Sequence, residues 1–285
     1  MKPDAYCQAR AARSGSSFYY SFRFMSPERR RAITALYAFC REVDDVVDEC
    51  ADPDLAHTKL QWWRQEVGAM FDGRPQHPIT RELYPALSRY PLPQEYFLEV
   101  LDGMQMDVDY DAYPSFNELK LYCHRVAGVV GLMSAGIFGY RDRTTLRYAE
   151  RLGLALQLIN ILRDVREDLA RGRIYLPQDE MERFQVRPQD LQHGQTTDRI
   201  RALFQFQADR AREEYRRALD TLPAVDHASQ SGGLIMGAIY AALLDEMDRD
   251  DYRVLEHRIK LTPLRKLWIA WRTARQARAA GGHGR

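Results

Sequence analysis

The stretch RAITALYAFCREVDDVVDE, residues 31–49, sets the fold class. Ile33, Leu36, Tyr37, Cys40, Val43 and Val47 recur along it three or four apart, the period of one face of an α-helix. Ser26-Pro27 ahead of it supplies an N-cap and a first-turn proline. Working outward, the same period predicts helices over 53–71, stopped by Asp72-Gly73-Arg74-Pro75, and over 80–87 and 94–108, separated by the prolines at 91 and 93. A polar break at 109–115 precedes a helical pair, 116–126 and 126–138, and then a long helix over 145–169. RGRIYLPQDE, residues 171–180, reads as a loop; helices resume over 197–219, 231–247 and 264–275. No run of alternating strand residues competes, so the expected class is all-α, one helical domain over 1–285 with a flexible tail from about 276.

Composition excludes more than it names. Hydrophobic residues at 45% and charged residues at 28%, with a formal net charge of +1, describe an ordinary folded chain and give no footprint for nucleic acid. Cys7, Cys40, Cys50 and Cys123 lack C-x-x-C spacing and metal-like histidines, which fits scattered thiols in a reduced compartment. The N-terminus MKPDAYCQAR has no apolar signal stretch. The longest weakly polar run, 126–139, is shorter than the roughly 20 residues a membrane-spanning helix needs. The expected location is cytoplasmic or peripheral to the inner face of a membrane.

Two helices carry acids at matching spacing. Asp44 and Asp48 are i and i+4, with Tyr37 and Arg41 on the same stripe; Asp164 and Asp168 repeat the pattern, with Gln157 and Asn160 extending it and Arg163 beside it. Like charges at that spacing repel, a small cost on a solvated face and a large one in a cleft unless cations offset it. Hard divalent cations bound by carboxylates and substrate phosphates supply that offset. A single D-x-x-x-D is an ordinary acidic surface; two with matching neighbours point to a shared site. Asp45 and Glu49 form a competing register in the first cluster. Arg41, Arg163, Arg171 and Arg173 offer planar forks for phosphate oxygens, Tyr175 follows in RGRIYLP, and any one of these arginines alone reads first as a surface residue or helix-terminal partner.

VAGVVGLMSAGIFG, residues 126–139, spaces Gly128, Gly131, Ala135 and Gly139 for close backbone approach, with Val129, Leu132, Met133 and Phe138 as walls of either a tight helix contact or a pocket. Phe18, Tyr19, Tyr20 and Phe22 could cap such a pocket. His124 stands alone and reads as structural, and the common nucleotide, dinucleotide, zinc-protease and serine-hydrolase motifs are missing.

Taken together, SGSSFYYSF, YAFCREVDDVVDE, DGMQMDV, YCHRVAGVVG, LALQLINILRDVREDLARGRIYLPQDE and LTPLRKLWIAWR resemble the squalene/phytoene synthase family over nearly the whole chain. The resemblance implies an isoprenoid synthase fold, a helical bundle around a central cavity. It implies Mg2+, with Mn2+ as a substitute, bridging Asp44, Asp48, Asn160, Asp164 and Asp168 to diphosphate. It places Ser17, Phe18, Phe22, Tyr37, Arg41, Val129, Gln157, Asn160, Arg173 and Tyr240 against substrate, and Tyr37, Arg41, Tyr122, Arg173 and Tyr175 at the reaction centre. The likeness is nearest to members that join two farnesyl diphosphates head to head and stop at presqualene diphosphate. No NADPH is expected, and later steps would fall to separate, functionally coupled enzymes. Phytoene formation from two geranylgeranyl diphosphates is the alternative, with dehydrosqualene and hydroxysqualene formation further off. A reading outside enzymology makes LRKLWIAWRTARQAR a membrane-surface or partner-binding helix on an inert scaffold.

Overall fold

A computed structural model describes residues 1–13, 21–22, 25–50 and 52–282. Its helices are α1 (Pro3–Arg13), α2 (Pro27–Asp48), α3 (Pro53–Phe71), α4 (Pro78–Leu87), α5 (Gln94–Asp109), α6 (Phe116–Cys123), α7 (Val129–Phe138), α8 (Thr144–Ala170), α9 (Gln178–Arg183), α10 (Pro188–Gln192), α11 (Asp198–Thr221), α12 (Ser231–Arg249) and α13 (Pro263–Gly282). Among the described residues, extended pairing is confined to a single bridge, Ala112 to Ile174. The Ser26 cap is the one expected from sequence, its hydroxyl accepting from the Arg29 N–H; at the start of α3 the Asp52 carboxylate accepts from the Asp54 N–H at 3.0 Å. Gly73 ends α3 at φ +79°, a conformation a side chain resists.

Three expectations change. The pair 116–126 and 126–138 is one rod, because a π-helical turn over His124–Gly128 joins α6 to α7 without a break. At 23 residues and mean hydropathy 1.4 the rod is long and apolar enough to cross a membrane, which the shorter run 126–139 was not. Leu119, Cys123, Val129, Met133 and Ile137 are nonetheless buried by neighbouring helices, the burial of a core helix. Residues 178–183, the first three of them expected as loop, form α9. The tail expected from 276 continues α13 to Gly282, because Ala270, Ala274 and Ala277 let the helix lie close on α12.

The interior is divided into two main apolar clusters. One gathers α1 to α5 and α7 around Leu36, Phe39, Phe97 and Met133; the other gathers α8, α11 and α12 around Leu162, Phe204, Ile235 and Met247. Val126, in the π turn, packs against both. Between them lies a cavity of about 740 Å³. Its wall is thinned where the rod meets α8. A Cβ on Gly131 would sit 2.3 Å from the Ala149 carbonyl oxygen, and one on Gly153 2.4 Å from that of Ala127. The glycine spacing therefore serves helix contact, while Val130, Gly131, Ser134 and Ala135 of the same rod line the cavity.

Candidate active site

Helix α2 presents Tyr37, Arg41, Asp44 and Asp48 at steps of four, three and four, and α8 presents Gln157, Asn160, Asp164 and Asp168 at three, four and four. Both stripes line the cavity. Arg171, just past α8, lies between them, 3.4 Å from Asp48 and 4.0 Å from Asp168. Arg173 donates to Asp48 at 3.0 Å and to the Val47 carbonyl at 3.3 Å. Gly172 at φ +80° makes the reversal that brings both guanidiniums back to α2. Arg41 reaches Asp44 at 2.5 Å and Asp45 at 2.9 Å, so Asp45, the competing register, is tied to arginine, and Arg10 also pairs with it.

Crowding of acids sets the electrostatics. Asp168 is pushed up to about 8, by burial first and then by Asp164. Asp44 keeps 32% of its side chain exposed, yet packing around it and then Asp48 push it up to about 6. Among the described residues the Asn160 Oδ1 is buried with no hydrogen-bond partner, as is the Glu167 Oε2, although both residues line the cavity. Among the described residues no three His, Cys, Asp or Glu side chains converge into a ready metal cage. The donor set still fits Mg2+, which takes one or two carboxylates and completes its shell from water and substrate phosphate. An orphaned buried amide oxygen on a residue that lines the same cavity as four aspartates is the observation that supports the fit.

The apolar end is lined by Phe22, Val126, Val130, Phe138, Tyr148 and Leu152. Tyr122, Tyr175 and Tyr240 also line the cavity. Val129 does not: the helical turn directs it into the α2–α5 cluster, and Val130 takes the wall position. Ser17 and Phe18 lie outside the described residues. His124 pairs with Glu150 at 2.9 Å away from the cavity lining, consistent with a structural residue.

Sequence reading missed Asp107 and Arg258. Asp107 is a buried carboxylate that accepts from Tyr122 at 2.9 Å on one oxygen and from Tyr175 at 2.7 Å on the other. Burial pushes its carboxyl up to about 7 against the lowering effect of Tyr175, Arg173 and Tyr122. The Tyr122 and Tyr175 rings stack at 5.2 Å, and both phenols are raised well above their ordinary value by burial, then by Asp107. A signal existed: Asp107 continues the buried stripe Phe97, Val100, Leu101, Met104 of α5, where an acid needs a reason. Arg258 pairs with Asp164 at 2.8 Å from an irregular connection whose sequence carries no periodicity.

A helical shell around a cavity with an acidic and basic mouth and an apolar end is the architecture of enzymes that act on prenyl diphosphates. Residues 11–265 match squalene/phytoene synthase, and the chain belongs to that family. It is a prenyltransferase of the head-to-head condensing type. A phytoene synthase of Mycobacterium bovis is 39% identical over 257 residues, 89% of this chain and 84% of the relative. A solved dehydrosqualene synthase superposes with a TM-score of 0.89 at 28% identity, covering 97% of both chains. A squalene synthase from Alicyclobacillus acidocaldarius superposes with a TM-score of 0.75 at 28% identity over 88% of this chain and 94% of its own. The sequence relative thus carries the name of phytoene synthesis, the activity which the motif reading put second.

Proposed function

We propose that the protein condenses two farnesyl diphosphates to presqualene diphosphate and pyrophosphate. The observation that carries this reading is one cavity lined both by the charged Asp44, Asp48, Asp164, Asp168, Arg171 and Arg173 and by the aromatic Phe22, Phe138 and Tyr148. Each buried methylene of a prenyl chain gains on the order of 0.8 kcal/mol there. The shorter C15 chain is supported by the solved relatives named for squalene and dehydrosqualene, both C30 compounds.

Asp44, Asp48, Asn160, Asp164 and Asp168 would hold Mg2+, which supplies Lewis-acid withdrawal of charge from the leaving diphosphate. Arg41, Arg171 and Arg173 bind the diphosphate oxygens as the C1–O bond of the first substrate breaks. The electron pair leaves with pyrophosphate. The C2=C3 bond of the second substrate attacks the allylic cation at C1, and loss of a proton from C1 closes the cyclopropane. That proton goes to the released pyrophosphate, a stronger base than phenols kept protonated by burial. Asp107 acts as counter-charge to the cation. Its two oxygens are each covered by a phenol, so the carboxylate lends negative potential while being blunted as a nucleophile. The packed aromatic walls exclude water, which would trap the cation as an alcohol.

The second reading, geranylgeranyl diphosphate to phytoene, is favoured by the phytoene synthase relative at 39% identity. Purified protein with Mg2+ is offered each diphosphate separately, with and without NADPH, and products are identified by mass. A C30 diphosphate formed regardless of NADPH is the expected result. A C40 product formed from the longer donor only would replace the first reading with the second.

A further inference from the structure

The C-terminal helix α13 has a buried face and an outward one. Ile269, Ala270, Ala274 and Ala277 are at most 8% exposed and pack toward α12. On the opposite side Leu264, Leu267, Trp268 and Trp271 are 80%, 39%, 54% and 51% exposed. The tryptophans are therefore not core residues. Between Pro263 and Gly282 the helix carries Arg265, Lys266, Arg272, Arg275 and Arg278 and no Asp or Glu. Arg265 is held by Glu246 of α12, whereas Arg272, Arg275 and Arg278 are exposed. Two of these three lie over the exposed rings, Arg272 at 5.3 Å from the Trp268 centroid and Arg275 at 5.1 Å from that of Trp271.

A second observation ties this face to the cavity. Arg258, Ile259, Lys260, Leu261 and Lys266 line the cavity, and Arg258 reaches Asp164, so the segment leading into α13 forms part of the acid end. The exposed apolar face begins at Leu264, three residues after Leu261 of that lining. Indole rings beside guanidiniums, with large apolar side chains and no acid, match the chemistry of a headgroup interface. A wholly apolar partner would bring no counter-charge to Arg272, Arg275 and Arg278, whereas anionic phospholipid supplies it.

We propose that the outward face of α13 docks on an anionic phospholipid membrane, setting the acid end of the cavity beside the leaflet. The long prenyl tails of the product then pass into lipid without crossing water. The inference holds whichever prenyl chain length is used.

The test is flotation of the full-length protein with vesicles of phosphatidylcholine alone and of phosphatidylcholine with phosphatidylglycerol in equal parts. Wild type is expected to float with the anionic vesicles and to be released as salt is raised. The double variant Arg272→Gln/Arg275→Gln is expected to bind about 30-fold more weakly, roughly fivefold per arginine. Trp268→Ala/Trp271→Ala is expected to lose flotation while keeping its helical circular dichroism and melting temperature, since the rings are exposed. Wild type remaining below the gradient at low salt, or either variant floating like wild type, overturns the proposal. So does a concentration-dependent dimer that forms without lipid and disappears in the tryptophan variant, which would make the face a contact between copies. Flotation does not depend on turnover, so its failure would leave the condensation reading untouched.

Discussion

Replacing Asp107 by asparagine separates a residue that serves the reaction from one that serves the fold. The carboxyl, ordinarily near 3.8, is raised to about 7 by burial. That shift weights its charged form by about 4 kcal/mol. The sign follows from proton uptake: between about pH 4 and pH 7 the folded protein holds a proton that the unfolded chain has released. Stability from this group is therefore greatest at low pH and is lost as pH rises toward 7, beyond which the full cost remains. A neutral amide at this position carries no such cost. With part of the gain offset by weaker hydrogen bonds to Tyr122 and Tyr175, we expect Asp107→Asn to be more stable than wild type by about 2 kcal/mol at pH 8. That corresponds to roughly 3 °C in melting temperature for a chain of this length. The same variant should lose turnover. A carbocation ~6 Å from the carboxylate at an effective dielectric of ~20 is stabilised by about 3 kcal/mol, or roughly 100-fold in rate. Thermal melts at pH 5.5 and 8 and single-turnover product formation measure both halves. The wild-type melting temperature should fall between those pH values more than that of the variant. A variant within threefold of wild-type turnover, or one whose stability falls together with its rate, would show that Asp107 only supports the two tyrosines.

Four other outcomes are expected. Asp48→Asn and Asp164→Asn should each reduce product formation by at least 100-fold with little change in melting temperature, because the acids face the cavity; unchanged product formation in both would remove them from the site. Mg2+ stabilisation in a thermal-shift titration should strengthen as pH rises from 6 to 8, since Asp44 near 6 and Asp168 near 8 hold protons that the metal must displace; a pH-independent shift would count against both as ligands. Gly131→Ala should cost about 2 kcal/mol or more in denaturant melts, because its Cβ would meet the Ala149 carbonyl oxygen at 2.3 Å and backbone cannot yield cheaply. Phe138→Ala, which opens the apolar end, should raise the share of product made from geranylgeranyl relative to farnesyl diphosphate in a mixed-substrate assay; an unchanged ratio would take chain-length control away from that wall.

Periodicity carried what depends on one helix at a time. The two acidic stripes, each confined to a single helix, were legible because residues three and four apart must share a face. That the stripes meet is a tertiary fact, which depends on Gly172 turning Arg171 and Arg173 back toward Asp48. The π turn at His124–Gly128 was hidden for a related reason: one widened turn changes which residues face the cavity, and a constant 3.6 period assigns Val129 to the wall when Val130 occupies it. Arg258 sits in an irregular connection where no period exists, so only the fold could bring it to Asp164. Asp107 is the instructive case, since its position on a buried stripe was readable while its partners, 15 and 68 residues away, were not. An acid on an apolar helical face is costly without donors. Such an acid therefore implies that the fold delivers donors to it, and here they are the Tyr122 and Tyr175 phenols, both already candidates for the reaction centre on other grounds.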